Sequence, residues 1–235
     1  MKMRFLVKLS FLIIGLLLSS QSKGQGPVTV ETELVSSYVW RGIQFSPSPA
    51  IQPALTFSSG NETFFAGAWG SFSLGRYFSE IDLFAGFSAG AFTFSVYDYF
   101  VLPDTEEYNY FDFRRTHTGH ALEGVVEFTG PENFPVEVTW GTFFYGDDLT
   151  EDEKPIFSSY LEVCYPFELG DHSLSVFAGL TPWQSMYAEK AALVNVGLSA
   201  TRSLQVNQSY SIPLTASLMV NPWDKKTWFV LAVGF

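Results

Sequence analysis

Carboxylates recur at two-residue spacing along several extended stretches of this 235-residue chain. Glu31 with Glu33 and Glu80 with Asp82 each share a face wherever the backbone is a strand, because strand side chains alternate with period 2, and Glu123 with Glu127 do the same at twice that spacing. Glu137 and Glu162 occupy equivalent positions in later stretches. Acids gathered on one inner surface favour cations, as carboxylate-lined pores do. Bases that could answer them are few: chiefly Arg41, in phase with Glu31, Glu33 and Ser37, then Arg76, Arg114 and Arg115. The chemistry is therefore either a hydrated acidic wall or protonated carboxyls around an ion-pair network on Arg41. The candidate ligand-contacting residues are Arg41, Glu80, Asp82, Glu123, Glu127, Glu137 and Glu162.

Other reactive side chains form no recognisable constellation. Thr116-His117-Thr118-Gly119-His120 follows Asp104, Glu106, Glu107 and Asp112. A base–nucleophile pair could be drawn from it to Thr116 or Ser158, but no spacing specifies one. His117 and His120 lack a metal-ligand pattern, and His172 beside Asp171 reads as turn polarity. Cys164 is the sole cysteine, so no internal disulfide forms, and it is expected to pack along its strand. Asp147-Asp148 with Glu151-Asp152-Glu153 reads as a solvated acidic loop without the order of a calcium-binding loop. No catalytic residue, metal or cofactor is expected. An enzyme acting on lipid or peptide at an outer leaflet is the alternative function.

These residues need a scaffold that repeats. About twelve short segments carry alternation or β-rich composition, at 29–41, 50–58, 62–74, 79–89, 91–101, 119–129, 134–145, 156–167, 172–181, 190–202, 209–220 and 226–235. Ile81, Leu83, Ala85 and Phe87 share one face, as do Leu174, Val176, Ala178 and Leu180. Ser59-Gly60-Asn61, Ala89-Gly90, Gly130-Pro131-Glu132-Asn133 and Leu169-Gly170-Asp171 are tight turns. Between them lie longer links at 42–49, 75–78, 102–118, 146–155 and 182–189. The turn at 203–208 is long for its side and that at 221–225 short, so ten or fourteen strands stay open beside twelve. Short turns alternating with longer loops suit an antiparallel up-and-down transmembrane β-barrel. The rival is a secreted β-sandwich.

Composition and the N-terminus favour the barrel. Lys2, Arg4 and Lys8 precede an apolar run over 9–18, and Ser22-Lys23-Gly24 offers a cleavage site, so residues 1–24 read as a secretory signal and 25–235 as the barrel. The run is too short for a spanning helix, which needs about 20 residues. Removing 1–24 takes four of the 13 bases and no acid, which leaves nine bases against 24 acids and a net charge of −15. Such acidity excludes nucleic acid as the expected partner. Aromatics are 17% of the chain, 24 of them Phe, as a lipid-facing wall requires. After the signal no apolar run approaches a helix span, so a membrane reading must be a β reading. The alternating stretch Thr227, Phe229, Leu231, Val233, Phe235 resembles the closing strand that barrel-insertion machinery reads. Expected partners are that machinery and outer-membrane lipid.

Ser36-Ser37-Tyr38-Val39-Trp40-Arg41-Gly42-Ile43 is followed by Pro49-Ala50-Ile51-Gln52-Pro53, then Phe65-Ala66-Gly67-Ala68-Trp69-Gly70-Ser71 and Glu80-Ile81-Asp82-Leu83-Phe84-Ala85-Gly86-Phe87. Together these resemble the TorF-type (Gcw_chp) family of bacterial outer-membrane proteins, over about residues 36–100. The resemblance implies a location in the outer membrane of a Gram-negative bacterium and supplies no reaction or ligand. In physical terms, Gly67, Gly70 and Gly86 permit close approach inside a barrel. Arg41 is expected to pair with Glu80 and Asp82, and Tyr38, Trp40 and Trp69 to join an interfacial girdle. The expected function is structural, or that of a small cation-favouring pore or ligand-uptake barrel.

Overall fold

A computed structural model describes residues 27–75, 78–102, 108–207 and 210–235. The expected signal segment, together with Arg76, Asp104, Glu106 and Glu107, lies outside the described residues. The elements are β1 (Val28–Val35), β2 (Tyr38–Trp40), β3 (Ile43–Ser46), β4 (Ala50–Ser58), β5 (Phe64–Ser73), β6 (Ser79–Ala89) and β7 (Phe92–Val101). They continue as β8 (His120–Thr129), β9 (Glu137–Gly146), β10 (Ser159–Leu169), β11 (His172–Thr181), β12 (Ala192–Asn207), β13 (Tyr210–Asn221) and β14 (Lys226–Gly234). Twelve of them close an antiparallel barrel in which each pairs with its chain neighbour, β1 pairing with β14 on one side and β4 on the other. Closure leaves no sheet edge. Phe235 takes part in it: its N–H donates to the Thr32 carbonyl at 2.8 Å.

Alternation decides what faces where. Phe57, Phe64, Phe87, Phe94, Val163 and Phe229 stand on the outward face and are exposed, giving an apolar outer wall of the kind that lipid covers. The inward face is polar and divides by chemistry. Around β11–β14 it carries hydroxyls: Ser199 with Ser217 at 2.8 Å and Thr201 with Thr215 at 2.9 Å. Around β1 and β6–β10 it carries the acids Glu31, Glu33, Glu80, Asp82, Glu123, Glu127, Glu137 and Glu162, the first seen by their register with inward neighbours. Cys164 lies half-buried on this inward face of β10.

The first predicted strand, 29–41, is not one strand. The barrel strand ends at Val35, and β2 and β3 form a separate hairpin. Val35 already pairs with Ala50 of β4, so the barrel ladder needs no residue between them. The predicted turn at 203–208 is also corrected: β12 runs on to Asn207, and its ladder with β13 reaches Asn207↔Tyr210. At the other end, 222–225 turns within four residues, with Lys225 at φ +56° and the Asp224 N–H donating to Asn221 Oδ1.

The β2–β3 hairpin folds into the barrel at the end where the longer loops emerge. Its two-residue turn is Arg41-Gly42, with φ of +48° and +77°. Two positive φ values define the turn type whose twist matches a tight hairpin. Gly42 is required twice over. A side chain there would also collide with the Val194 carbonyl oxygen, a backbone atom of β12 that cannot move aside. Asn221 Nδ2 fastens the same point by donating to the Gly42 carbonyl at 2.9 Å.

Gly42→Ala is expected to dislodge the hairpin while the barrel persists, costing more than the roughly 1 kcal/mol of an ordinary left-handed strain. Limited proteolysis within 37–48 reads the release, and Gly60→Ala, which meets no atom within 4 Å, is the silent control.

Candidate functional site

Arg41 is carried by the hairpin turn across the lumen to the far wall. Its Nη1 donates to Glu123 Oε1 at 2.5 Å and to the Tyr187 hydroxyl at 2.9 Å, and its Nη2 donates to Glu123 Oε2 at 3.1 Å. The Tyr99 hydroxyl donates to Glu123 Oε2 at 2.8 Å. The guanidinium lies 4.2 Å from the Trp40 ring centroid and 4.8 Å from that of Tyr160. The arginine side chain is 10% exposed and the glutamate 0%. Two charges this deep in protein stand only when paired and hydrogen-bonded on their remaining atoms, as they are here. Gly141 of β9 makes the room, since a side chain there would occupy the position of the Glu123 carboxylate.

Arg41 therefore meets Glu123, not the expected Glu80 and Asp82. The reason is reach. A hairpin that enters the lumen places its tip against β8 and β10, while β6 faces its stem. That stem explains the aromatic motif residues too. Tyr38 packs on Trp69 and Phe78 at centroid distances of 5.5 and 5.7 Å, and Trp40 on Tyr99 at 5.6 Å. These rings are interior packing and not the expected girdle. A tryptophan pair does sit outside: Trp140 and Trp183 meet at 6.1 Å, and Trp183 Nε1 donates to the Phe157 carbonyl.

Beside the stem, Glu80 is 5% and Asp82 4% exposed; Tyr38 bonds the Glu80 carboxylate, yet among the described residues Glu80 Oε2 and Asp82 Oδ1 have no hydrogen-bond partner. Glu162 accepts from the Tyr160 hydroxyl and from Asn195 Nδ2 at 3.1 Å. Glu127 and Glu137 lie lower in the barrel, opposite Thr139 and Thr129. The seven expected residues thus share the lumen but form three groups: the Arg41–Glu123 pair, the open pair Glu80–Asp82, and single acids further down.

The longer loops build the rim. Tyr187, between β11 and β12, caps the hairpin and packs with Tyr160, Val194 and Trp40. Asp148, expected to be solvated, is instead buried and accepts from the Ser158 N–H at 2.8 Å and hydroxyl at 2.6 Å. Burial and the adjacent Asp148 push the Asp147 carboxyl above its ordinary value. The Arg114 guanidinium hydrogen-bonded to Asp112 holds that carboxyl well below its own. His120, which the sequence joins to no constellation, is fully buried on the outward face of β8. Its Nδ1 faces Asp98 at 2.8 Å and its Nε2 donates to the Tyr110 carbonyl at 2.6 Å, beneath the stacked ring of Phe113. Both nitrogens are engaged in holding the β7–β8 loop on the wall. Tyr99, Tyr187 and Asn195 were absent from the sequence expectations. For Tyr99 and Asn195 a hydroxyl or amide on an inward strand position was the available signal, but it is shared with many positions that do nothing comparable; Tyr187, in the β11–β12 link, offered none.

A family model described as "Bacterial protein of unknown function (Gcw_chp)" matches residues 21–210. No curated protein matches the chain. Among solved structures, an outer membrane channel from Pseudomonas putida F1 is similar at 11% identity and a TM-score of 0.44, with 92% of this chain and 96% of that chain covered.

Arg41→Met should leave Glu123 buried and unpaired at a cost of about 3–5 kcal/mol. Adding Glu123→Gln should recover part of that loss. Urea unfolding in detergent micelles measures both, and a double variant as unstable as the two single losses added together would refute the coupling.

Proposed function

The chain belongs to the Gcw_chp family, and we propose that it is an outer-membrane barrel that passes or holds small cations, its lumen gated by an internal hairpin. The observation that carries this reading is the β2–β3 hairpin lodged inside an acid-lined lumen. A barrel built only as a membrane anchor gains nothing from residues 37–48, because Val35 and Ala50 already pair. Those residues hold one end of the lumen instead. The exposed apolar wall with the outward Trp140–Trp183 pair supports a lipid surround. In that setting the longer loops face outward and the hairpin meets solutes first.

Cation preference follows from the lower lumen. Glu123 is neutralised by Arg41, so Glu31, Glu33, Glu127 and Glu137 supply the fixed charge below the hairpin. Carboxylate rings raise the local concentration of cations and repel anions. A catalytic role finds less support. His120 is committed at both nitrogens, and the Ser158 hydroxyl donates to Asp148 with its oxygen accepting from the Met186 N–H.

Replacing residues 37–48 by an Asn-Gly turn should leave a barrel that still shifts on heating in gels and conducts about tenfold more than wild type in planar bilayers. An intact barrel with unchanged conductance would show that the hairpin gates nothing. In the same variant, Glu127→Gln with Glu137→Gln should move the reversal potential in a KCl gradient toward zero; anion selectivity before the substitutions would sink the acidic-pore reading.

A further inference from the structure

A cavity of about 740 Å³ opens among the longer loops, above the hairpin. Its floor is aromatic, from Tyr38, Trp40 and Phe45, and its walls add Tyr99, Phe143 and the carboxylate of Glu80. Cavities of this size hold small organic ligands.

Among the described residues the charges around it do not cancel. Arg41 is held by Glu123. Arg114 is held by Asp112, and Asp148 by Ser158. Glu80 is bonded by Tyr38 but keeps one buried oxygen, Oε2, with no donor among the described residues, and so does Asp82 two residues along the same face of β6. A buried carboxylate oxygen without a donor is costly, and a cation placed against it removes the cost. Aromatic faces with the carboxylate beside them recognise ammonium groups through the ring quadrupole. A bare metal ion fits less well, because among the described residues no group of three or more His, Cys, Asp or Glu is placed to hold one. An organic cation needs only one counter-charge and a ring surface.

We propose that this vestibule binds a small organic ammonium ion, with Glu80 as its counter-charge and Tyr38, Trp40 and Tyr99 as its aromatic walls. The proposal takes from the functional reading only that the long-loop end is accessible from solution; it does not require that anything crosses the barrel.

The test is calorimetric titration of the full-length protein in detergent micelles with choline and with its neutral isostere, 3,3-dimethylbutan-1-ol. Choline should bind saturably, and the alcohol at least about tenfold more weakly, because the two differ only in charge. Glu80→Gln should weaken choline by about the same factor and leave the alcohol unchanged. Equal binding of the two probes, or no binding of either, overturns the site. If Glu80→Gln does not fold, the wild-type comparison alone decides. Choline binding in a barrel that proves non-conducting would remove the pore and keep the site.

Discussion

A guanidinium carried into the middle of a barrel must meet a carboxylate there, and the upper half of this molecule is arranged around that requirement. Arg41 sits at the tip of a hairpin that contributes nothing to the barrel ladder. Its charge is answered from the opposite wall by Glu123, and the remaining atoms of that carboxylate are answered by Tyr99. The stacking of Trp40 and Tyr160 over the guanidinium replaces the water it gave up. Gly42 and Gly141 are small for the same reason: one lets the turn touch β12, the other leaves space for the pair. The hairpin is thus held by this ion pair at its tip together with the apolar packing of Trp40 and Ile43 against Tyr160, Tyr187 and Val194.

That arrangement gives the family-like motifs a common purpose. Tyr38, Trp40, Arg41 and Gly42 are the hairpin, Trp69 is the ring its stem packs on, and Gln52 donates to Ser71 where β4 and β5 face the same stem. Ser46 of β3 meets Ser73 of β5 at 3.0 Å. Residues scattered over some forty positions are therefore a plug and its seat. The carboxylates of Glu80 and Asp82 lie at the margin of that seat, where the hairpin supplies rings and the Tyr38 hydroxyl, which bonds Glu80 but leaves its Oε2 and Asp82 Oδ1 unanswered.

Much of the barrel was legible in the sequence because its determinants are local. Alternation of apolar and polar residues reports a wall between two solvents, and Gly- or Pro-bearing turns mark where each strand ends. The expected bounds of the strand over Ser79–Ala89, and of that over His172–Thr181, coincide with those found. Reading Tyr38 and Trp40 as girdle residues failed for a physical reason. An aromatic at a strand end packs as well against a lumen hairpin as against a lipid interface, and alternation does not distinguish the two. The burial of His120 was illegible for a like reason, since nothing local announces that Phe113 and Tyr110 fold back over it.

What the sequence by itself determined is which face of each strand is apolar, that the acids share the other face, and hence a closed wall with a charged interior. These follow from a period of two and need no knowledge of the partner strand. Tertiary structure alone decided that the segment after Val35 turns inward, that Arg41 finds Glu123 and leaves Glu80 and Asp82 open, and that a cavity remains above them. Those outcomes depend on distances across the barrel between residues more than eighty positions apart, and such distances exist only once the last strand has closed on the first.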